Sequence, residues 1–200
     1  GAGKSTVSKI VAARLGYTYI DTGAMYRAVG LKLAKTGAEL TDIVDGIEIE
    51  LDDKARVFLD GQEVTAEIRT PEISRLASDV SKFGFVRKKL TELQRKMAER
   101  GSVIMDGRDI GTEVLPNADV KIFLTATLDE RARRRFEELK AKGQAADFDA
   151  VKAEIAARDK QDSEREIAPL RQAEDAVLID STGLTIEQVV AQILAICSTR

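Results

Sequence analysis

Apolar residues return at helical spacing from the first turns of the chain. Val7, Ile10, Val11 and Leu15 share one face, which predicts a helix over 4–15. A short strand over 17–21 follows, then a helix over 23–35 carrying Met25, Ala28, Val29 and Leu33. The pattern next switches to period two: Ile47, Ile49 and Leu51 alternate with Glu48, Glu50 and Asp52. Segments 57–59 and 62–64 flank Asp60-Gly61, a hairpin signal, so a small antiparallel sheet is expected between helices. Helices are predicted over 71–82 and 83–100, the second with Phe83, Val86, Leu90, Leu93 and Met97 on one face. Apolar strands over 102–105 and 120–125 come next, then helices over 129–142 and 148–160 around a break at Gly143-Gln144. A last strand spans 177–180. Ile186, Val189, Val190, Ile193, Leu194 and Cys197 then make a closing amphipathic helix, capped by Thr185 with Gln188. Cys197 lies on that stripe and is read as core. Strands alternating with helices predict an α/β fold with a parallel sheet sandwiched by helices.

Composition narrows the chemistry. The 200 residues hold no histidine and one cysteine, which excludes His-dependent catalytic triads, His-ligated metals, an internal disulfide framework and a Cys₄ zinc site. No apolar run approaches the roughly 18 residues of a membrane span. Net charge is −3, but it is unevenly spread. Residues 38–67 hold ten acids and two bases, a net −8, leaving +5 for the remainder. Anionic ligands are therefore expected away from the inserted sheet.

Gly1-Ala2-Gly3-Lys4-Ser5-Thr6 matches the second half of the phosphate-loop pattern G-x-x-x-x-G-K-[ST]. Glycines let a phosphate chain reach successive backbone N–H groups, and the helix N-terminus adds positive potential. Lys4 is placed for the β- and γ-phosphates and Ser5 for Mg²⁺. The pattern's first glycine and its strand are not in the sequence, so an upstream strand is expected in the natural protein. Restoring about ten residues there is expected to raise the melting temperature by many degrees. Thr22, Gly23 and Arg27 surround a strand-to-helix junction where a second anion could bind, although a hydroxyl there is commonly an N-cap and a helical arginine is commonly solvated. Asp106-Gly-Arg-Asp109 follows a strand end, where parallel sheets bind ligands. Asp106 is placed to orient Mg²⁺ or its water, and Arg108 and Asp109 to contact a substrate. Arg131 and Arg135 share a helix side near the apolar stripe, whereas Arg133 reads as solvated and paired with Glu137 and Glu138. Arg158, Asp162 and Arg165, at i, i+4 and i+7, are expected on one helical face. No aromatic residues interleave with the arginines to support nucleic-acid stacking.

The segments GAGKST, IDTGAMYRA, EIRTPEIS, DGRDIGTEVLPNADVKIFLTA, ERARRR, RDKQDSEREIAPL and LIDST, in this order, resemble the bacterial cytidylate kinases among the nucleoside monophosphate kinases. The resemblance implies a phosphate-loop kinase transferring phosphate from ATP, with Mg²⁺, to CMP and dCMP. It implies that Thr22, Arg27, Arg108 and Arg165 hold the CMP phosphate. Ser78, Arg87 and Asp109 would read the cytosine, and Arg158 and Asp162 the sugar. Arg131 and Arg135 would close over the ATP phosphates, making Lys4, Arg108, Arg131 and Arg135 the catalytic cations. The expected organisation is one kinase domain over 1–200, with a monophosphate-binding region at 22–88, a β insert at about 46–69 and a lid at 129–160. A cytoplasmic monomer is expected, acting on small molecules without nucleic acid or membrane. Another small-molecule kinase, an ATP-binding switch without transfer, and an RNA-binding module remain the alternatives.

Overall fold

Helix α1 (Lys4–Leu15) starts directly after Gly3, whose φ of 86° lies in the left-handed region that glycine enters without a Cβ penalty. The Gly3 carbonyl accepts the first helical bond, from Val7 N–H at 3.0 Å. In the computed structural model, residues 2–199 are described, and they fall into two units. One comprises residues 12–107, and the other residues 2–11 and 108–199.

The unit of residues 12–107 pairs β1 (Thr18–Asp21) in parallel with β5 (Val103–Asp106), in register from Thr18↔Val103 to Asp21↔Asp106. Between them in sequence lie α2 (Thr22–Thr36), α3 (Leu40–Asp45), β2 (Ile49–Leu51), β3 (Val57–Leu59), β4 (Gln62–Glu63), α4 (Pro71–Val80) and α5 (Gly84–Ala98). The predicted antiparallel insert is present as β2–β3–β4. Its turn has Asp60 at φ 49° and Gly61 at φ 79°, two successive left-handed residues that match a tight hairpin to strand twist. Ile49, Leu51, Val57 and Leu59 point inward while Glu50 stays exposed, so alternation sends one face into the core. That core also holds Ile20, Met25, Val29, Ile43, Ile68, Val80, Val86 and Leu90. Gly30 lets α2 approach α4: a Cβ there would lie 3.1 Å from Leu76 Cβ and 3.2 Å from Ala77 N. Gly30→Val is therefore expected to destabilise by about 2 kcal/mol through overpacking. A fall of several degrees in a thermal melt checks this, and an unchanged melting temperature would show that the helices separate freely.

The second unit pairs β6 (Ile122–Thr125) in parallel with β7 (Val177–Asp180). Helices α6 (Leu128–Ala141) and α7 (Phe148–Glu164) are joined through the Gly143 break and pack with Phe136 edge-on to Phe148, centroids 6.0 Å apart. Helix α8 (Ile186–Ser198) carries the expected capping box of Thr185 and Gln188.

Several expectations need correction. Phe83 does not join the buried stripe of α5; it precedes the helix, is exposed, and meets Phe85 at a tilt with ring centroids 5.7 Å apart. Ile186 is exposed because it occupies the first turn of α8, and Cys197 in its last turns is half-buried rather than core. Burial still pushes the Cys197 thiol up from its ordinary pKa. Three short elements lie outside the periodic reading, one of them the 3-10 turn Glu67–Arg69. Six-residue α3 is too short to show a 3.6 period. Residues 110–114 form a π-helical turn, with the Asp109 carbonyl accepting from both Glu113 and Val114 N–H groups.

Candidate active site

The phosphate-loop residues divide by exposure. Ala2 is buried, Lys4 half-buried, and Ser5 and Thr6 are exposed on the first turn of α1; Gly1 lies outside the described residues. No acidic side chain belongs to that first turn, so the N-terminal end of α1 carries the positive potential of the helix dipole.

Beyond β1, the N-cap of α2 is Asp21, which accepts from Ala24 N–H at 3.0 Å. Thr22 is therefore not the cap. Its hydroxyl instead donates to the Asp106 carbonyl at 2.7 Å, tying α2 to the end of β5. Arg27 is not solvated either. Its side chain is 19% exposed, Nη2 donates to Asp21 at 2.9 Å, and Nε is buried without a hydrogen-bond partner. A buried guanidinium donor left unused is a strong attractor for an anion. Asp106 is buried, and its Oδ1 accepts from the Tyr19 hydroxyl at 3.0 Å, which sets the carboxylate's orientation. Arg87 on α5 is buried, donates to the Ser81 carbonyl at 3.2 Å and lies 5.4 Å over the Tyr26 ring. Ser78 is half-buried on α4.

In the other unit, the expected single face of Arg158, Asp162 and Arg165 is not formed. Helix α7 ends at Glu164, and Arg165 turns into extended conformation at φ −65°, ψ 143°. Its Nε donates to the Ala168 carbonyl at 2.7 Å, which folds it back so that Nη1 lies 3.5 Å from Asp162. Asp162 is buried and also accepts from Arg108 Nε. One buried carboxylate thus faces two guanidinium groups. Arg158 remains exposed. Asp109 is buried, and the π-helical turn that starts on its carbonyl fixes its backbone.

On α6, Arg131 donates to the Ala126 carbonyl at 3.0 Å and pairs with Asp159 at 2.6 Å. Arg135 pairs with Glu138 at 2.9 Å. The Lys142 ammonium, and to a lesser degree Arg135, hold the Glu138 carboxyl below its ordinary pKa against partial burial. Arg133 pairs with Glu137, as expected, but with Glu130 rather than Glu138. Position i−3 brings Glu130 onto its side of the helix, and Arg135 takes Glu138. Sequence reasoning missed Tyr19, Asp21 and Asp159. Only Asp21, one residue before the helix start, carried a local signal, as an N-cap type.

These parts define a class: an α/β phosphotransferase with the fold of the phosphate-loop nucleoside monophosphate kinases. The family model of cytidylate kinase matches residues 1–199. A cytidylate kinase of Caldicellulosiruptor bescii is 54% identical, over 97% of this chain and 90% of its own length. One from Symbiobacterium thermophilum is 52% identical, over 98% and 92%. One from Geobacillus thermodenitrificans is 50% identical, over 100% and 93%. The chain belongs to the cytidylate kinase family.

Proposed function

We infer that this kinase phosphorylates CMP and dCMP at the expense of ATP, by direct in-line transfer. The observation that carries the reading is the match of residues 1–199 to one family with a single named activity. Phosphoryl transfer asks for positioning and charge neutralisation more than for a strong base, which suits a chain with no histidine. Lys4 and the backbone of residues 1–6 hold the ATP phosphates. Arg131 and Arg135 neutralise charge on the transferred group, trading their carboxylate partners Asp159 and Glu138 for phosphate oxygens. Thr22, Arg27, Arg108 and Arg165 hold the acceptor phosphate, Ser78, Arg87 and Asp109 the cytosine, and Arg158 and Asp162 the sugar.

Ser5 and Asp106 fit Mg²⁺. The described residues contain no cluster of three or more acidic or thiol ligands. A hydroxyl and one oriented carboxylate, completed by substrate phosphates and water, is the donor set this cation uses in kinases. When bound, it would neutralise phosphate oxygens.

Residues 22–88 form the monophosphate-binding region with its insert at about 46–69, and 129–160 form the lid, within one kinase domain over 1–200. The protein works as a cytoplasmic monomer on small molecules, without nucleic acid. No helix among the described residues is long and apolar enough to cross a membrane. A coupled assay with ATP against CMP, dCMP, UMP and AMP tests the reading. CMP and dCMP are expected as good acceptors, UMP as poor and AMP as negligible; transfer to a different acceptor alone would overturn it. Arg27→Met is expected to weaken CMP binding about 30-fold, the worth of a charge-assisted hydrogen bond. Calorimetric titration of CMP checks this, and unchanged affinity would remove Arg27 from the acceptor site.

A further inference from the structure

Ser181, just past the end of β7, is 1% exposed and belongs to none of the groups assigned above. Its backbone N–H donates to the Thr125 carbonyl at 2.8 Å, extending the β6–β7 pairing by one bond. Its hydroxyl lies 3.0 Å from the same Thr125 carbonyl and 3.3 Å from the carbonyl of Ala2. Arg134 on α6 closes the cluster from the other side. Its Nη1 donates to the Ser181 hydroxyl oxygen at 3.1 Å and its Nη2 to the Ser181 carbonyl at 2.7 Å, while Glu130 holds its Nε at 2.8 Å. A serine hydroxyl has one proton to give. With the arginine donating to its oxygen, that proton is directed at the two carbonyls, one of which is in the phosphate loop.

The consequence follows from peptide geometry. The bond between Ala2 and Gly3 is trans, so the Ala2 carbonyl and the Gly3 N–H point in opposite directions. Drawing the carbonyl inward onto Ser181 turns the Gly3 N–H away from the protein interior. Gly3, at φ 86°, has no side chain to resist a peptide flip, so the orientation depends on what holds the carbonyl.

We propose that Ser181, buttressed by Arg134, is a positioning residue of the phosphate loop that aims the Gly3 N–H at the phosphates of the donor nucleotide. The role rests on the phosphate-loop reading and separates Arg134 from its neighbours Arg131 and Arg135. Those two are assigned to phosphate, whereas Arg134 serves the loop through a serine.

The test uses the full chain with Ser181→Ala and Arg134→Met. Affinity for a non-hydrolysable ATP analogue is measured by calorimetry, and KM for ATP and for CMP by coupled assay. Ser181→Ala is expected to weaken the analogue and raise KM for ATP about tenfold, while KM for CMP stays within about twofold. Arg134→Met keeps the length of the side chain and is expected to weaken the analogue by at least about threefold, again with CMP spared. A residue that only supports packing would lower the melting temperature without this split. Unchanged analogue affinity in either folded variant, or equal losses for both nucleotides, overturns the proposal. Lys4→Ala separates the two failures. If that variant loses transfer while Ser181→Ala keeps its ATP affinity, only the positioning role falls; if Lys4→Ala keeps native turnover, the phosphate-loop reading falls first.

Discussion

Lys4→Ala is expected to lower kcat by about 10²–10³, the worth of one preorganised charge at the transferring group, while leaving the melting temperature nearly unchanged. The two outcomes separate because of where the residue sits. Lys4 opens α1 and is half-buried, so little apolar packing depends on it, and alanine is the better helix former. Its ammonium is the single basic side chain in the segment from Ala2 to Thr6. No neighbouring lysine or arginine in that loop could substitute. Steady-state kinetics with saturating CMP, beside a thermal melt, decide the matter. Near-native turnover in a folded variant would remove Lys4 from the transfer step.

The second large effect is expected at Asp109, on base choice. Cytosine offers an amino donor at C4, where uracil offers a carbonyl acceptor. A buried carboxylate fits the first and repels the second. A site built to hydrogen-bond one group rejects the analogue lacking it far more strongly than a lost methylene would, because buried polar atoms are left unpaired. Asp109→Ala should therefore reduce kcat/KM for CMP by about 100-fold and for UMP by about tenfold or less, compressing their ratio. Asp109→Asn can present an amide donor to the uracil oxygen, so it should raise UMP relative to CMP further still. Asparagine also preserves the volume beneath the π-helical turn that begins on the residue 109 carbonyl, which guards against loss of fold. Equal losses for both substrates would assign Asp109 to phosphate or metal positioning and sink its role in reading the base.

Local patterns in the chain carried much of the fold. The period-two run at Ile49 and Leu51 and the Asp60-Gly61 turn specified the insert, because alternation and left-handed turn residues act over two to four positions. The helix over 4–15 was legible from apolar spacing, and the one expected over 148–160 after the Gly143-Gln144 break extends to Glu164. Phe83 misled because a hydrophobic residue just before a helix has the same spacing as one in its first turn, and only its neighbours decide whether it is covered. The π-helical turn was invisible since its signature is a backbone bond one residue longer than the helical period.

The site divides along the same line. Sequence alone determined which residue types are present for phosphate chemistry: a glycine-lysine-serine loop opening α1, arginines on α6, and acids and arginines following strands, with no histidine to offer another route. Tertiary structure decided their partners. It gave Arg108 and Arg165 one shared carboxylate in Asp162, placed Asp159 against Arg131, set Tyr19 on Asp106, and brought Ser181 to Ala2 across 179 positions of chain. Apart from Arg165 and Asp162, these contacts join residues far apart in sequence, and which carboxylate meets which guanidinium depends on burial and direction. A local pattern contains neither quantity; both arise only when the strands and helices have packed.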